Sequence, residues 1–214
     1  MIKILGRDTS SNVQAVMWLV GELRIEHERL DFGGSFGGTQ TEEFLAMNPM
    51  GRVPVLQDGA LTMFESQAIM RYLAAKYGSG GLWPDSPAAR APVDQWMEWS
   101  KVNVAPAVIY KVFWQMIRTC AADRDHALIA KGVDDLKTLM AIAEKQIARH
   151  GWLAGPEMTL ADIAFGTLLY RYYEVPFERS DLPAVAEYYA KLTARPAYAK
   201  HAMVSFESLR VAGA

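Results

Sequence analysis

The sequence has little cysteine, since Cys120 is the single thiol among 214 residues. One cysteine excludes an internal disulfide framework, a thiolate metal cluster and a C-x-x-C redox pair. The four histidines lie far apart without the spacing of metal ligands, so no metal site is expected: His27, His126, His150 and His201. Such cysteine usage suits a reducing compartment, and we therefore expect the chain to be cytoplasmic.

The chain also lacks an excess of either charge and any long apolar run. There are 22 Lys and Arg against 24 Asp and Glu, and the cations are scattered among the acids. Without a basic face, neither nucleic acid nor an anionic membrane is an expected partner. No stretch approaches the roughly 18 uninterrupted apolar residues of a membrane span. The opening "MIKILGRDTSSN" turns polar too early for a signal peptide.

What the chain does have is a composition that is 51% apolar, enough for a sizeable core. Glycine, proline and serine interrupt the helical pattern in "YGSGGLWPDSP", residues 77–87. We interpret this stretch as the connection between two domains. The predicted limits are 1–78 for the first domain, 79–87 for the linker and 88–214 for the second domain.

Strand and helix signals alternate before the linker in the order β-α-β-α-β-β-α. The predicted strands are 2–5, 25–31, 52–56 and 61–64, and the predicted helices are 12–24, 41–47 and 66–77. A hairpin turn is expected at Asp58-Gly59. These elements can form a small mixed sheet covered by helices. After the linker almost every segment has a helical pattern, and "TLADIAFGTLLYRYY" (159–173) is apolar enough to be a central buried helix.

The strand-like run "RVPVL" has a proline, Pro54, in its middle. Proline has no N–H to give to a sheet ladder, so the residues alone leave two interpretations open. In the first interpretation, the run is an edge strand that does not need a backbone N–H at this position. Alternatively, a cis X–Pro bond turns the Val53 backbone outward to pair with something other than a strand.

A small α/β half with "NPMGRVPVL" and "ESQAIMRYLAAKY", followed by a helical half, resembles the glutathione S-transferase family over nearly the whole chain. "TLADI" is similar to the family's helix-capping motif, with Thr159 as the cap and Asp162 reaching back to it. The opening "GRDTSSNVQAVMWLVGEL" is similar to bacterial members near the theta, beta and nu classes. The resemblance implies an α/β thioredoxin-like N-terminal domain plus an all-α C-terminal domain, and a homodimer.

The resemblance implies that Pro54 is cis and that the Val53 backbone pairs with the cysteinyl residue of glutathione. Glutathione is an anionic tripeptide, so its site needs a cation for the glycyl carboxylate. Arg52 can supply that cation through a charge-assisted bond, although the residues alone favour a solvated surface cation. The glycine-rich segment 31–40 is interpreted as a mobile lid, and its last residue, Gln40, is expected to touch the same end of glutathione.

The γ-glutamyl end needs donors for its carboxylate and an acceptor for its ammonium group. Glu65 and Ser66 open the helix at "ESQAIM", where free N–H groups and the positive end of the helix dipole attract a carboxylate. Glu65 can accept hydrogen bonds from the ammonium group. Ser66 is also interpretable as a simple N-cap, and the two roles are compatible.

The thiol must also be made reactive. A free cysteine thiol has a pKa of about 8.5, and lowering it by about two units requires about 2.7 kcal/mol of thiolate stabilisation. In "DTSSNV" the resemblance implies that Ser10 is the hydroxyl that donates to the sulfur and that Asn12 is the nearby amide. On the residues alone Ser10 is an N-cap. Thr9 and Ser11 are close enough to be alternative donors.

In the second half, Tyr110, Phe113 and Trp114 have helical spacing in "YKVFWQM". They are either ordinary core or, as the resemblance implies, part of a pocket for an apolar electrophile. Cys120 is most simply a buried small hydrophobe.

The predicted function is that of a glutathione transferase in detoxification, which activates the glutathione thiolate for attack on a small hydrophobic electrophile. The alternatives are a glutathione-dependent disulfide reductase or peroxidase, and a non-catalytic interaction module of the same fold. The sequence does not name the second substrate.

Overall fold

A four-stranded mixed sheet forms the centre of the first half in the computed structural model, which describes residues 1–212. The strands are β1 (Ile2–Leu5), β2 (His27–Leu30), β3 (Val55–Asp58) and β4 (Leu61–Phe64), in the order β2-β1-β3-β4. β1 is parallel to β2 and antiparallel to β3, and β4 is antiparallel to β3. Together with the helices between the strands, this sheet confirms the predicted order of elements.

Three helices cover the sheet: α1 (Ser11–Glu22), α2 (Glu42–Met47) and α3 (Ser66–Tyr77). The apolar face of α1 includes Val13, Val16 and Val20, all fully buried against the larger core. α2 closes a smaller cluster in which Phe44 packs with Leu5 and Val55. The two clusters lie on opposite faces of the sheet, as expected when strands alternate their side chains.

Pro54 lies immediately before β3, so the predicted strand 52–56 starts too early. Val55 pairs with Leu5 on one side and Phe64 on the other. Because β3 is an internal strand, its residues use both sides of the ladder, and a proline fits only outside it. The edge-strand interpretation is therefore wrong. The Val53–Pro54 bond is cis, as predicted.

Every element from residue 87 to the end of the described chain is helical. They are α4 (Pro87–Trp99), π-helical turns at Ser100–Val104 and Pro106–Phe113, α5 (Trp114–Ile117), α6 (His126–His150), α7 (Leu160–Glu174), α8 (Pro183–Thr193) and α9 (Pro196–His201), with short 3₁₀ turns at Ala121–Asp123 and Glu207–Leu209. Residues 78–86 connect α3 to α4 without a helix or strand, and the exact domain limits at 78 and 88 stay predictions. Over residues 1–212, no helix has both the length and the apolar character needed to cross a membrane.

α7 is the central helix of the second half, as predicted, and it begins with the expected capping box. The Oδ2 of Asp162 accepts from the backbone N–H of Thr159 at 2.8 Å, and the Thr159 hydroxyl accepts from the N–H of Ala161 at 3.3 Å. The Oδ1 of Asp162 accepts from the N–H of Leu153 and the hydroxyl of Tyr188. One buried carboxylate thus joins the start of α7 to the preceding loop and to α8.

α1 is the element that joins the two halves, because it packs against α3, α7 and α9. Trp18 is fully buried and meets the ring of Tyr198 edge to face, with 4.7 Å between the ring centroids. Its indole N–H donates to Glu22 at 2.8 Å, and Arg195 binds the same carboxylate through two nitrogens. These contacts fix α1, and with it the loop at its N-terminus.

Candidate functional site

A cleft of about 270 Å³ opens where the N-terminus of α1 faces the loop before β3 and the helical half. It brings together most of the residues predicted from the sequence: Ser10, Asn12, Arg52, Val53, Tyr110, Phe113 and Trp114. Thr9 and Ser11, the alternative donors, also line it. The first half therefore supplies one wall of the cleft and the second half supplies the other.

Four of the predicted site residues are not part of the lining of this cleft. Pro54 is buried behind Val53. The amide of Gln40 lies against Gly51, which has a φ of +59° and leaves no space for a Cβ. Glu65 and Ser66 begin α3 to one side, and Ser66 lines a small hollow that it shares with Asn12.

Ser10 is the N-cap residue of α1 by position, with a φ of −84° and a ψ of 121°. Its side chain makes no capping hydrogen bond, although serine is favoured at such positions for that bond. The hydroxyl is therefore available to a group in the cleft. The N-terminus of α1 adds a favourable potential for a negative charge at the same place.

Asn12 has a fixed side-chain orientation. Its Oδ1 accepts from the Nζ of Lys101 at 2.9 Å and from the hydroxyl of Ser66 at 3.4 Å. Because an ammonium group can only donate, the atom facing Lys101 must be the amide oxygen. The amide nitrogen of Asn12 is thereby left to donate elsewhere.

Sequence reasoning missed Lys101, which comes from the π-helical turn after α4. Burial lowers the pKa of Lys101, while the charges of Glu65 and Glu98 oppose that shift. The residue reaches 89 positions back along the chain to Asn12. No local pattern in "EWSKVN" signals this contact, since it depends on how α4 packs against the first half.

The loop before β3 is held by Asn48, another residue that the sequence did not point to. Asn48 is 3% exposed, and its amide donates to the carbonyl of Arg52 at 2.6 Å while its oxygen accepts from the N–H of Met50 at 3.1 Å. The Arg52 side chain is exposed, and Val53 is half-buried at the edge of the cleft. Asn48 thus fixes the backbone that presents Val53.

Glu65, not Ser66, occupies the N-cap position of α3, so the interpretation of Ser66 as a simple N-cap is wrong. Glu65 has a φ of +68° and makes no capping hydrogen bond. A positive φ is unfavourable for a residue with a side chain, and such residues concentrate at functional sites. Ser66 is the first residue of the helix and is 4% exposed.

The three predicted aromatic residues of the helical wall differ in their exposure to the cleft. Phe113 is 2% exposed and belongs to the core, whereas Tyr110 and Trp114 are 45% and 41% exposed. The rings of Tyr110 and Trp114 meet edge to face, with 4.7 Å between their centroids. Tyr110 and Trp114 are therefore the exposed aromatic surface of this wall.

Arg171 links α7 to the loop that carries Ser10. The side chain is 2% exposed, and it donates to the Oε1 of Gln14 at 2.6 Å and to the carbonyl of Thr9 at 2.8 Å. Burial lowers the pKa of Arg171 to about 10. Sequence reasoning overlooked this cation because its two partners lie 157 and 162 positions away along the chain.

Cys120 is half-buried rather than fully buried as expected, and it does not belong to the lining of the cleft. It precedes a short 3₁₀ turn, Ala121–Asp123. Among residues 1–212 there is no group of three or more His, Cys, Asp or Glu side chains that could hold a metal ion.

Two family models match the chain. The model for the N-terminal domain of glutathione S-transferase matches residues 2–75, and the model for the C-terminal domain matches residues 100–196. Together they cover both sides of the cleft.

Individual relatives agree with this match. Glutathione S-transferase GstB of Escherichia coli is 36% identical over 206 residues, which is 95% of this chain and 99% of the relative. Glutathione S-transferase 3 of Zea mays is 34% identical over 75% of this chain and 73% of its own length. A theta class enzyme of Xanthomonas axonopodis pv. citri, solved with glutathione bound, superimposes with a TM-score of 0.90 at 42% identity, over 95% of this chain and 98% of that one. This chain therefore belongs to the glutathione S-transferase family.

Proposed function

We propose that the cleft binds glutathione along Val53 and that the Ser10 hydroxyl donates a hydrogen bond to its thiolate. Family membership makes the chain a glutathione S-transferase with glutathione as its cosubstrate. The assignment of roles rests on one observation: Ser10 lines the cleft at the N-terminus of α1 with a hydroxyl that no capping bond uses. The Xanthomonas enzyme was solved with glutathione bound, which supports this ligand.

Ser10 acts as a donor rather than as a base, because a serine hydroxyl does not release its proton at neutral pH. A hydrogen bond to a charged acceptor contributes about 1.5 to 3 kcal/mol, and the N-terminus of a helix adds about 0.3 to 1 kcal/mol. Together these contributions span the roughly 2.7 kcal/mol needed to lower a thiol pKa by about two units. The amide nitrogen of Asn12, left free by Lys101 and Ser66, is the second donor.

The γ-glutamyl end of glutathione is assigned to the start of α3. The free N–H groups there can donate to its carboxylate, and the Ser66 hydroxyl can do so by turning from its 3.4 Å contact with Asn12. Glu65 can accept from its ammonium group. The positive φ of Glu65 supports this assignment, because an unfavourable backbone conformation persists where the surrounding structure requires it.

The glycyl carboxylate is assigned to Arg52, with Gln40 beside it. Asn48 holds the carbonyl of Arg52 and so fixes where this side chain starts. The contact of Gln40 with Gly51, the residue before Arg52, supports this pairing.

The second substrate is a small electrophile with a hydrophobic body, which Tyr110 and Trp114 contact and Phe113 supports from the core. The thiolate attacks the electrophilic carbon, a C–S bond forms, and the leaving group departs with the electron pair of the bond that breaks. We propose detoxification as the role and the cytoplasm as the location, where thiols stay reduced. We also propose a homodimer in which the N-terminal domain of one chain packs against the helices of its partner.

The test is retention on immobilised glutathione followed by turnover with a neutral aryl halide and with a small disulfide, for wild type and Ser10→Ala. We expect retention of both proteins and conjugation of the aryl halide that Ser10→Ala strongly reduces. Turnover of the disulfide alone would support a disulfide reductase instead. Retention without either activity would support a non-catalytic interaction module.

A further inference from the structure

Three arginines line the cleft beside Ser10. Arg7 follows β1, Arg118 follows α5, and Arg171 lies in α7. Burial and then the charge of Arg118 lower the pKa of Arg7, while the charge of Asp8 opposes the shift. Burial lowers the pKa of Arg171 as well, with a further contribution from the charge of Arg7. Bringing like charges together costs energy, so this cluster calls for an explanation.

The three charges are not neutralised by ion pairs. Among residues 1–212, none of these guanidinium groups forms a salt bridge with a carboxylate. Arg171 binds two neutral oxygens, and Arg118 lies over the ring of Trp114 at 5.3 Å from its centroid. The Nε of Arg7 is buried without any hydrogen-bond partner, although Asp8 is its neighbour in sequence.

Arg7 is held in place by the glycine-rich segment. A Cβ added to Gly34 would lie 3.0 Å from the Cδ and Nε of Arg7, and one added to Gly33 would lie 3.2 Å from its Nη1. The bare backbone of these glycines therefore packs directly on the side chain. Arg7 is thus confined to the cleft.

We propose that the electrophile conjugated in this cleft carries a carboxylate, which the guanidinium groups of Arg7 and Arg118 bind while Tyr110 and Trp114 contact its aromatic or unsaturated body. This inference rests on the function proposed above and specifies its second substrate. A guanidinium presents paired N–H donors that match the two oxygens of a carboxylate. In a cleft partly shielded from water, such a pair is stronger than on an open surface.

Within the cluster, Arg118 is the member that lies apart from the proposed glutathione contacts. Arg118 stacks on Trp114 in the helical wall, whereas Val53 and Arg52 lie on the sheet side. Arg171 reaches the carbonyl of Thr9, next to Ser10, so the cluster borders the place where the thiolate is expected. The carboxylate of an electrophile bound there would lie beyond the sulfur.

The chemistry for an aryl chloride is a substitution. The glutathione thiolate, whose proton has gone to solvent, attacks the carbon that bears chlorine. A C–S bond forms, the C–Cl bond breaks, and chloride leaves with the bonding electron pair. The carboxylate of the substrate is unchanged.

A matched pair of substrates tests the inference: a chloronitrobenzoate and its neutral carboxamide. The quantity measured is the ratio of kcat/KM for the benzoate to that for the carboxamide. We expect Arg118→Met to lower this ratio about tenfold, Arg118→Glu to lower it further, and Arg7→Gln to lower it about tenfold. Arg149→Met removes an exposed charge far along α6 and should keep the wild-type ratio.

Ionic strength gives a second measurement. The KM of the benzoate should rise with salt in the wild type, and the KM of the carboxamide should not. Arg118 is exposed, so its substitutions should leave the fold intact, which retention on immobilised glutathione checks.

Two results would overturn the inference alone: a wild-type ratio no greater than one, or equal losses for both substrates in the Arg118 and Arg7 variants. Equal losses would mean that the cluster acts on glutathione or its thiolate. A wild-type protein that conjugates neither substrate, and no neutral aryl halide either, would remove the proposed function together with this inference.

Discussion

The ammonium group of Lys101 donates to the side-chain oxygen of Asn12 at 2.9 Å, across the junction between the sheet half and the helical half. Lys101 is half-buried, and Glu65 is one of the acids whose charge acts on it. The orientation of Asn12 in the cleft is therefore set by a residue of the other domain.

Replacing that ammonium group should weaken glutathione binding. Lys101→Met keeps the length of the side chain but removes its donors, so Asn12 loses the contact that fixes its amide. We expect a loss of about 1 to 3 kcal/mol in the binding free energy, measured by isothermal titration. Lys145→Met removes an exposed charge on α6, and this variant should bind glutathione with the affinity of the wild type. Equal affinities for Lys101→Met and Lys145→Met would contradict the role of Lys101.

Ser10→Ala should raise the pKa of bound glutathione toward its free value without lowering stability. Stability should hold because the Ser10 side chain makes no capping bond. Ser86 is the matched control, since its hydroxyl accepts from the N–H of Ala89 at 3.2 Å. Ser86→Ala should cost about 1 kcal/mol of unfolding free energy and leave activity intact.

The measurement for Ser10 is the thiolate absorbance of bound glutathione against pH, with conjugation rates alongside. Conjugation by Ser10→Ala should fall steeply at neutral pH and recover partly at high pH. Asn12→Ala should be the milder change in conjugation. If Ser10→Ala alters neither the thiol pKa nor the rates, Thr9 and Ser11 are the next donors to test.

The start of α3 offers a separate test of glutathione binding. Glu65→Ala and Ser66→Ala should each weaken binding by about 1 to 3 kcal/mol, because each removes a partner of a charged group. Titration calorimetry on folded variants measures the effect. Unchanged affinity in both variants would remove the γ-glutamyl assignment.

Cys120→Ser should keep most of the transferase activity, because the thiol lies outside the lining of the cleft. The check is the conjugation rate of the variant beside that of Ser10→Ala. An inactive but folded Cys120→Ser protein would point to a covalent cysteine mechanism and a different site.

Stability should depend on pH through His201. Burial, with the charges of Lys200, His27 and Arg29, lowers the pKa of His201 from 6.5 to about 4. The unfolded chain therefore binds this proton more readily, and the unfolding free energy should fall as the pH drops from 6.5 toward 4. His201→Gln should flatten this dependence, whereas His150→Gln, at an exposed position, should not. Chemical denaturation at several pH values measures this dependence. If the prediction is wrong, the unfolding free energies of wild type and His201→Gln will change with pH by the same amount.

The sequence predicts those parts of the site that depend on neighbours along the chain. The apolar spacing of α1 locates Ser10 at its start, and the proline before β3 marks the Val53 backbone. In the same way, Thr159 and Asp162 are only three positions apart, so their capping box is visible in the sequence.

The remaining parts of the site depend on contacts between distant segments. Lys101 contacts Asn12, and Arg118 and Arg171 line the cleft, only because segments that are distant in sequence pack together. Helical periodicity does not specify that packing. The π-helical turns after α4 were missed for a related reason, because their hydrogen-bond pattern leaves no trace in the spacing of apolar residues. The start of β3 was misplaced because Val53 and Val55 both favour strands.

The bonds from Arg171 to Gln14 and Thr9 bear on protein engineering. Exchanging the helical half for that of a relative is an obvious way to change the second substrate. A donor half without an arginine at this position would leave the side-chain oxygen of Gln14 and the Thr9 carbonyl without these bonds. Chimeras should therefore carry Arg171 and Gln14 together, or lose thiol activation along with the old specificity.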